Sequence, residues 1–230
     1  MKVSIITCTM REEFMNNVFE NYERQLYDDK ELIIVLTKSS MDIKKWLEKA
    51  NNYDNVRVFQ LNGGCKLGDC LNFAVEKSVH DYFAKFDDDD FYGPLYLKNS
   101  MDGFRHPNVS IVGKNSFYMY IKSQNALILI NDVQQAYTNW VAGATLVVKK
   151  EVFNKVRFRS LNLSEDAYFI QDCNDNGLIF YAIDSSDFVA IRRHPSEHTW
   201  DISDERLMNW GKLVEFTDDY VPIVSSHPKD

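Results

Sequence analysis

The chain has 230 residues and a formal net charge of −8, which suits one ordinary domain and argues against nucleic acid or an anionic membrane as the main partner. Apolar residues make up 45% of it and charged residues 26%, values that allow a sizeable core without disulfide or metal staples. A phosphate-bearing ligand is not excluded, because a divalent cation reverses the local sign of charge.

The four cysteines (Cys8, Cys65, Cys70 and Cys173) have no CxxC or Cys/His spacing. A reduced, cytoplasmic compartment is therefore expected. The N-terminal apolar stretch is too short for a signal peptide, and no run approaches the roughly 20 apolar residues that cross a bilayer. A soluble protein without a transmembrane segment is expected.

VSIITCT (3–9) is nearly continuous, apolar and rich in β-branched residues, the pattern of a strand buried on both faces. Residues 11–25 place Phe14, Val18 and Phe19 near helical spacing, with acids in the first turn. Strands are predicted at 31–37, 55–61 and 81–86, separated by helices at 41–52 and 68–79. Such alternation with short connections predicts a parallel sheet covered on both faces. Ligands of such sheets bind beyond the carboxyl ends of the strands.

The second half is less regular. Residues 110–121 and 125–132 read as antiparallel strands joined by a polar turn, and 140–156 as a strand followed by the start of a helix. A helix is predicted over 162–177, with Ser164 as N-cap and Asn-Gly as stop signal. Strands follow at 178–184 and 188–194, then a helix at 203–215 and a tail, SSHPKD, expected to fray.

KFDDDDFYGP (85–94) puts four aspartates where the fourth strand ends. A solvated acidic loop is the ordinary use of such a run. An EF-hand is a poor alternative, because Phe91-Tyr92-Gly93-Pro94 breaks the required alternation of oxygen ligands. What remains is a carboxylate cluster that holds Mg²⁺ or Mn²⁺ together with a phosphate. In extended backbone Asp87 and Asp89 face one way, Asp88 and Asp90 the other.

These residues carry a resemblance. KFDDDDFYGP resembles the Asp-x-Asp segment of family 2 glycosyltransferases with the GT-A fold, including the following Pro94. VSIITCTMRE is similar to the family's first strand and nucleotide-binding loop, and GCKLGDCLNFAV to the segment before its Asp-x-Asp strand. LSEDAYFIQDC resembles its Glu-Asp motif at a helix start. The four matches stand in the family's order.

The resemblance implies an α/β, GT-A (Rossmann-like) single domain over residues 1–200, with a mostly parallel central sheet flanked by helices and an antiparallel acceptor-side portion. Residues 1–100 would form the nucleotide-binding half and 101–200 the acceptor-binding half, with a C-terminal helix and tail at 201–230. It further implies a nucleotide-sugar donor, usually with UDP, a divalent cation (Mn²⁺ or Mg²⁺) on the diphosphate, and inversion at the anomeric carbon. The acceptor would be a sugar, lipid-linked or protein-surface hydroxyl. By the same resemblance Thr7, Thr9 and Arg11 lie along the nucleotide, with Thr37 beside it and Lys66 near the base. Asp87 or Asp88 holds the ribose and Asp89 the metal. Asp166 is the general base, with Glu165 next to it.

The chemistry agrees. A departing nucleoside diphosphate gathers charge on its oxygens, which a bound cation stabilises. The acceptor hydroxyl needs a placed carboxylate to take its proton, worth typically about 10²–10⁴-fold. The bland use of Glu165-Asp166 is to complement a helix dipole.

Two departures bear on the nucleotide. The family's second strand usually ends in Asp-Asp, whereas IVLTKSS places Leu36, Thr37 and Lys38 there, which leaves the base open. Lys66 stands where an Arg is frequent; it keeps the charge without the planar fork, or is simply solvated. In RRHPSEHTW (192–200), His198, ahead of His194, is a candidate metal ligand, and an arginine is a candidate clamp on the diphosphate. The alternative is a surface loop with a packed Trp200.

Trp140 is a candidate stacking surface for the acceptor, with a buried strand aromatic as the equal alternative. Gly143 and Ala144 leave room for it, although such small residues more often just permit tight packing. Two other readings compete. A nucleotidyltransferase would want a glycine-rich loop after the first strand, which TCTMREE lacks. A catalytically silent nucleotide-sugar or Ca²⁺-binding scaffold module would keep the aspartates without needing Asp166.

Overall fold

The first four strands alternate with helices as their patterns predict. The structure, a computed structural model, describes residues 1–193 and 202–225. In order come β1 (Val3–Thr9), α1 (Met15–Glu23), β2 (Lys30–Leu36), α2 (Ile43–Ala50), β3 (Val56–Gln60), α3 (Leu67–Lys77) and β4 (Tyr82–Lys85). Alternate residues of the strands enter opposite layers. Ile5, Leu32 and Ile34 pack with Val18, Phe19 and Trp46 of α1 and α2. Ile6, Ile33 and Val35 pack with Cys70, Leu71 and Val75 of α3. Burial on both faces is why these strands are apolar throughout instead of alternating.

The chain continues through β5 (Phe91–Tyr92), α4 (Tyr96–Gly103), β6 (Val109–Gly113), β7 (Phe117–Ile121), β8 (Ala126–Ile130), β9 (Ala136–Thr138) and β10 (Val147–Lys149). It ends with α5 (Glu165–Asp175), β11 (Ile179–Ala182), β12 (Phe188–Arg192), α6 (Asp204–Trp210), β13 (Lys212–Phe216) and α7 (Val221–Val224). An eight-stranded sheet has the order β3-β2-β1-β4-β10-β6-β11-β9. Strands β1, β2, β3, β4, β6 and β11 run one way, and β10 and β9 the other. A second sheet, β13-β8-β7-β12-β5, is mostly antiparallel.

Three expectations need correction. Residues 110–121 form two strands in different sheets, β6 and β7. The polar stretch Lys114–Ser116 marks the change of sheet, and a periodicity reading joined two buried runs across it. Residues 140–156 hold only the three-residue β10 between the single 3-10 turns Gly143–Thr145 and Lys150–Asn154. The helix predicted at 203–215 stops at Gly211, and 212–216 continues as β13 against β8.

Residues 202–225 are stitched into the molecule. Val224 packs with Phe91, Tyr120, Leu127 and Val189, and its carbonyl accepts the Asp187 N–H at 2.8 Å. The last five residues of the tail lie outside the described residues. Among the described residues no helix is long and apolar enough to cross a membrane.

Candidate active site

Strand β1 lies between β2 and β4, so the connection from β1 leaves toward one side and the chain later returns on the other. That reversal of strand order is the usual ligand crevice of an open α/β sheet. Thr9 and Arg11 follow β1 there, and the aspartates follow β4.

The four aspartates form a turn, not an extended strand end, yet their burial still alternates. Asp88 and Asp90 are only 4% and 8% exposed, while the side chains of Asp87 and Asp89 keep 37% and 14% exposure. Asp88 accepts from the Thr9 hydroxyl and from Arg11, whose Nε lies at 3.2 Å. Thr9 Oγ1 in turn accepts the Arg11 N–H at 3.1 Å. Arg11 Nη2 also reaches Asp89 Oδ2 at 3.0 Å, and Arg193 Nη1 reaches that same oxygen at 3.5 Å. Asp90 accepts the Ile191 N–H at 2.9 Å. Asp87 is paired with Lys85, itself buried. Three cations of the chain thus hold the acidic run together.

Electrostatics follow this geometry. Burial and the neighbouring charges of Asp89 and Asp87 push the Asp90 carboxyl well above the usual carboxylate range. Burial also raises Asp88, against the opposing pull of Arg11 and Thr9. Burial works to lower the Lys85 ammonium, but Asp87, Asp166 and Glu165 together hold it above its ordinary value.

The second acidic station opens α5. Ser164 sits at φ 62°, in the left-handed region. It occupies the N-cap position that the sequence predicts, its carbonyl accepting the Tyr168 N–H at 3.0 Å, but its hydroxyl caps nothing. Asp166 Oδ1 instead accepts the Ala167 N–H at 2.7 Å. Its other oxygen lies against Gly143, where an added Cβ would come within 1.7 Å of it. Only glycine leaves that space. Glu165 is buried, and burial raises its carboxyl above the usual range, with Lys85 opposing.

The two stations are linked directly. The Tyr92 hydroxyl accepts the Asp87 N–H at 2.8 Å and donates to the Ala144 carbonyl at 2.7 Å. Its ring stacks on Phe86 at 3.8 Å. The Gly143–Thr145 turn that seats Asp166 is thereby tied to the aspartate turn.

The other candidates are placed as follows. Thr7 and Thr9 are buried, and the Thr9 hydroxyl is engaged by Asp88 and Arg11. Thr37 continues the β1–β2 pairing, its N–H bonding to the Thr9 carbonyl at 2.9 Å. Lys66 is exposed ahead of α3, where its N–H bonds to Asp69 at 3.2 Å. Trp140 is half-buried against both core layers. His194, His198 and Trp200 lie outside the described residues.

Residues 4–197 match the family described as Glycosyl transferase family 2. The chain belongs to that family. It is similar to the O-antigen biosynthesis glycosyltransferase WbnJ of Escherichia coli, with 28% identity over 166 residues that cover 67% of this chain and 64% of WbnJ. Its fold is like that of S. aureus TarS 1–349 in complex with UDP-GlcNAc, with a TM-score of 0.66, 18% identity, and coverage of 87% of this chain and 62% of that one. It is also like that of the mannosyltransferase PcManGT from Pyrobaculum calidifontis in complex with GDP-Man and Mn²⁺. There the TM-score is 0.60, the identity 14%, and the coverage 83% of this chain and 56% of that one. This family 2 chain therefore spans less than two thirds of the length of these relatives. The fold matches the GT-A arrangement that the motifs imply.

Several residues at this crevice carry little local signal in the sequence, Lys85 among them. Asn17 Nδ2 donates to the carbonyls of Asp88 and Asp90, at 2.8 and 2.9 Å, and Asn21 Nδ2 to that of Asp90 at 2.9 Å. Asn21, buried on the apolar stripe of α1 beside Val18 and Tyr22, was the available signal. A polar residue in such a stripe needs a partner from elsewhere in the chain.

For a divalent cation the donor chemistry fits. Asp89 offers a partly exposed oxygen ligand, the donor type that Mg²⁺ and Mn²⁺ take alongside phosphate and water. Among the described residues no group of three His, Cys, Asp or Glu that could hold a metal is present.

Proposed function

We propose that the protein is an inverting glycosyltransferase that moves a sugar from a nucleoside-diphosphate donor, a UDP-sugar, to an acceptor hydroxyl. The acceptor oxygen bonds to the anomeric carbon as the bond from that carbon to the diphosphate oxygen breaks. The bonding electrons leave with the nucleoside diphosphate. Asp166 takes the acceptor proton. Asp87 or Asp88 holds the ribose, and Asp89 holds a divalent cation, which when bound stabilises charge on the leaving diphosphate.

One observation carries this reading: two carboxylate stations of different character meet at the crevice, one countered by cations and one seated on bare glycine backbone. A diphosphate and its cation need the first, and a proton acceptor needs the second. The UDP-GlcNAc complex of TarS and the GDP-Man and Mn²⁺ complex of PcManGT support a nucleotide-sugar donor with a divalent cation. The O-antigen role of WbnJ supports an acceptor belonging to a cell-surface glycan.

The test is turnover of UDP-sugars with Mn²⁺ by wild type and Asp166→Asn. The variant is expected to lose about 10²–10⁴-fold in transfer rate while binding donor nearly as well. Undiminished transfer by Asp166→Asn would remove it as the base.

A further inference from the structure

Two guanidinium groups lie over the Phe14 ring. Arg11 Cζ lies 4.5 Å from the ring centroid and Arg193 Cζ 4.6 Å. Both arginines also reach one carboxylate oxygen, Asp89 Oδ2, at 3.0 and 3.5 Å. Arg193 Nη2 donates in addition to the Asp89 carbonyl at 2.7 Å. The three residues come from separate places: Arg11 follows β1, Phe14 closes the turn Glu12–Phe14 before α1, and Arg193 follows β12 of the second sheet. Two like charges gather here because an aromatic face and a carboxylate hold both.

That arrangement puts two cations where a divalent ion would need to bind. Nor is a carboxylate the only group they fit. The guanidinium fork matches phosphate oxygens as well as carboxylate oxygens. We infer that Arg11 and Arg193, seated on Phe14, are a diphosphate-binding pair parked on Asp89, and that donor binding exchanges partners. The guanidinium groups pass to the diphosphate while Asp89 passes to the cation. The inference rests on the reading of this crevice as a diphosphate and cation site. Phe14 acts as a positioning residue, keeping both guanidinium groups at the crevice before and after the exchange.

The exchange adds to the coupling that any cation shared between Asp89 and a diphosphate would give. Without nucleotide, a cation must compete with two guanidinium groups for Asp89 and binds weakly. With UDP present the competitors have another partner, so cation and nucleotide strengthen each other, by the same factor in either order of addition.

The experiment uses the full chain, with MnCl₂ alone titrated by the EPR signal of free Mn²⁺ and UDP titrated by calorimetry in saturating Mn²⁺. Arg193→Gln is expected to tighten MnCl₂ binding by about tenfold and to weaken UDP binding by about tenfold, the size of one charge-assisted hydrogen bond. Arg193→Lys keeps the charge without the fork, so it should leave MnCl₂ binding weak and still fail to restore UDP affinity. Phe14→Leu should weaken UDP binding by a smaller factor while circular dichroism stays native. Opposite signs for the two ligands are the signature. If wild type binds UDP in a Mn²⁺-dependent way but Arg193→Gln leaves MnCl₂ affinity unchanged, or weakens both ligands, the exchange is refuted and the site reading survives. If wild type binds no UDP, both fall.

Discussion

The aspartate turn after β4 and the acidic pair opening α5 carry the same functional group in opposite settings. In the turn, Asp87, Asp88 and Asp89 face Lys85, Arg11 and Arg193. At α5, Asp166 has no ion pair among the described residues; it leans on Gly143 and accepts one backbone N–H. On the proposed reading the first station exchanges its cations for a diphosphate and a metal, and the second receives the acceptor proton. Lys85 links the two stations, paired with Asp87 and acting on Glu165 and Asp166 through its charge.

Four substitutions sharpen or break this contrast. Asp166→Asn should give the largest effect, about 10²–10⁴-fold in transfer, with nucleotide binding spared. An equal loss in both would erase the distinction. Lys85→Met comes next. It should cost about 2 kcal/mol in urea denaturation, below the full penalty for breaking a buried pair, because Asp87 remains partly solvated.

That variant also has a pH signature. Glu165 is raised above its ordinary 4.5 in the folded protein, by burial first, with Lys85 pulling it down. Its stabilising contribution is complete below the unfolded value and is lost as pH climbs through the folded one. Removing Lys85 raises Glu165 further and extends that loss to higher pH. Thermal melts across the weakly acid range should show a steeper decline for Lys85→Met than for wild type.

Gly143→Ala should follow, lowering transfer on the order of tenfold by displacing the Asp166 carboxylate, with UDP affinity unchanged. Thr9→Val should have the smallest effect, about 1 kcal/mol of stability, from loss of the hydroxyl that Asp88 accepts.

The contrast between legible and hidden parts follows from sequence distance. The apolar run 3–9 coincides with β1, and β2, β3 and β4 begin and end within a residue or so of expectation, because each strand is buried on both faces and its helix returns it to a neighbour. Beyond Asp90 the strands choose between two sheets through distant pairings. The two residues of β5 are too short to show a period. Strand β13 replaces the end of the helix expected at 203–215, because its pairing with the distant β8 leaves no local signal in an acidic, partly amphipathic segment.

The candidate site divides the same way. Asp87–Asp90 and Glu165–Asp166 are visible because like charges adjoin in the chain. The pairing of Asp89 with Arg193 spans 104 residues, and Asn21 reaches Asp90 across 69. No local pattern announces either one. Lys85 was hidden for another reason: a lysine beside four aspartates looks solvated, whereas here it is 4% exposed.

The central claim, that the turn after β4 grips a nucleoside diphosphate together with a divalent cation, is tested most directly by calorimetric titration of UDP into wild type and Asp89→Ala, each with and without Mn²⁺. Wild type should bind UDP far more tightly with Mn²⁺ than without it, and Asp89→Ala should bind equally weakly in both. The same manganese enhancement in wild type and Asp89→Ala, or none in either, would contradict the claim.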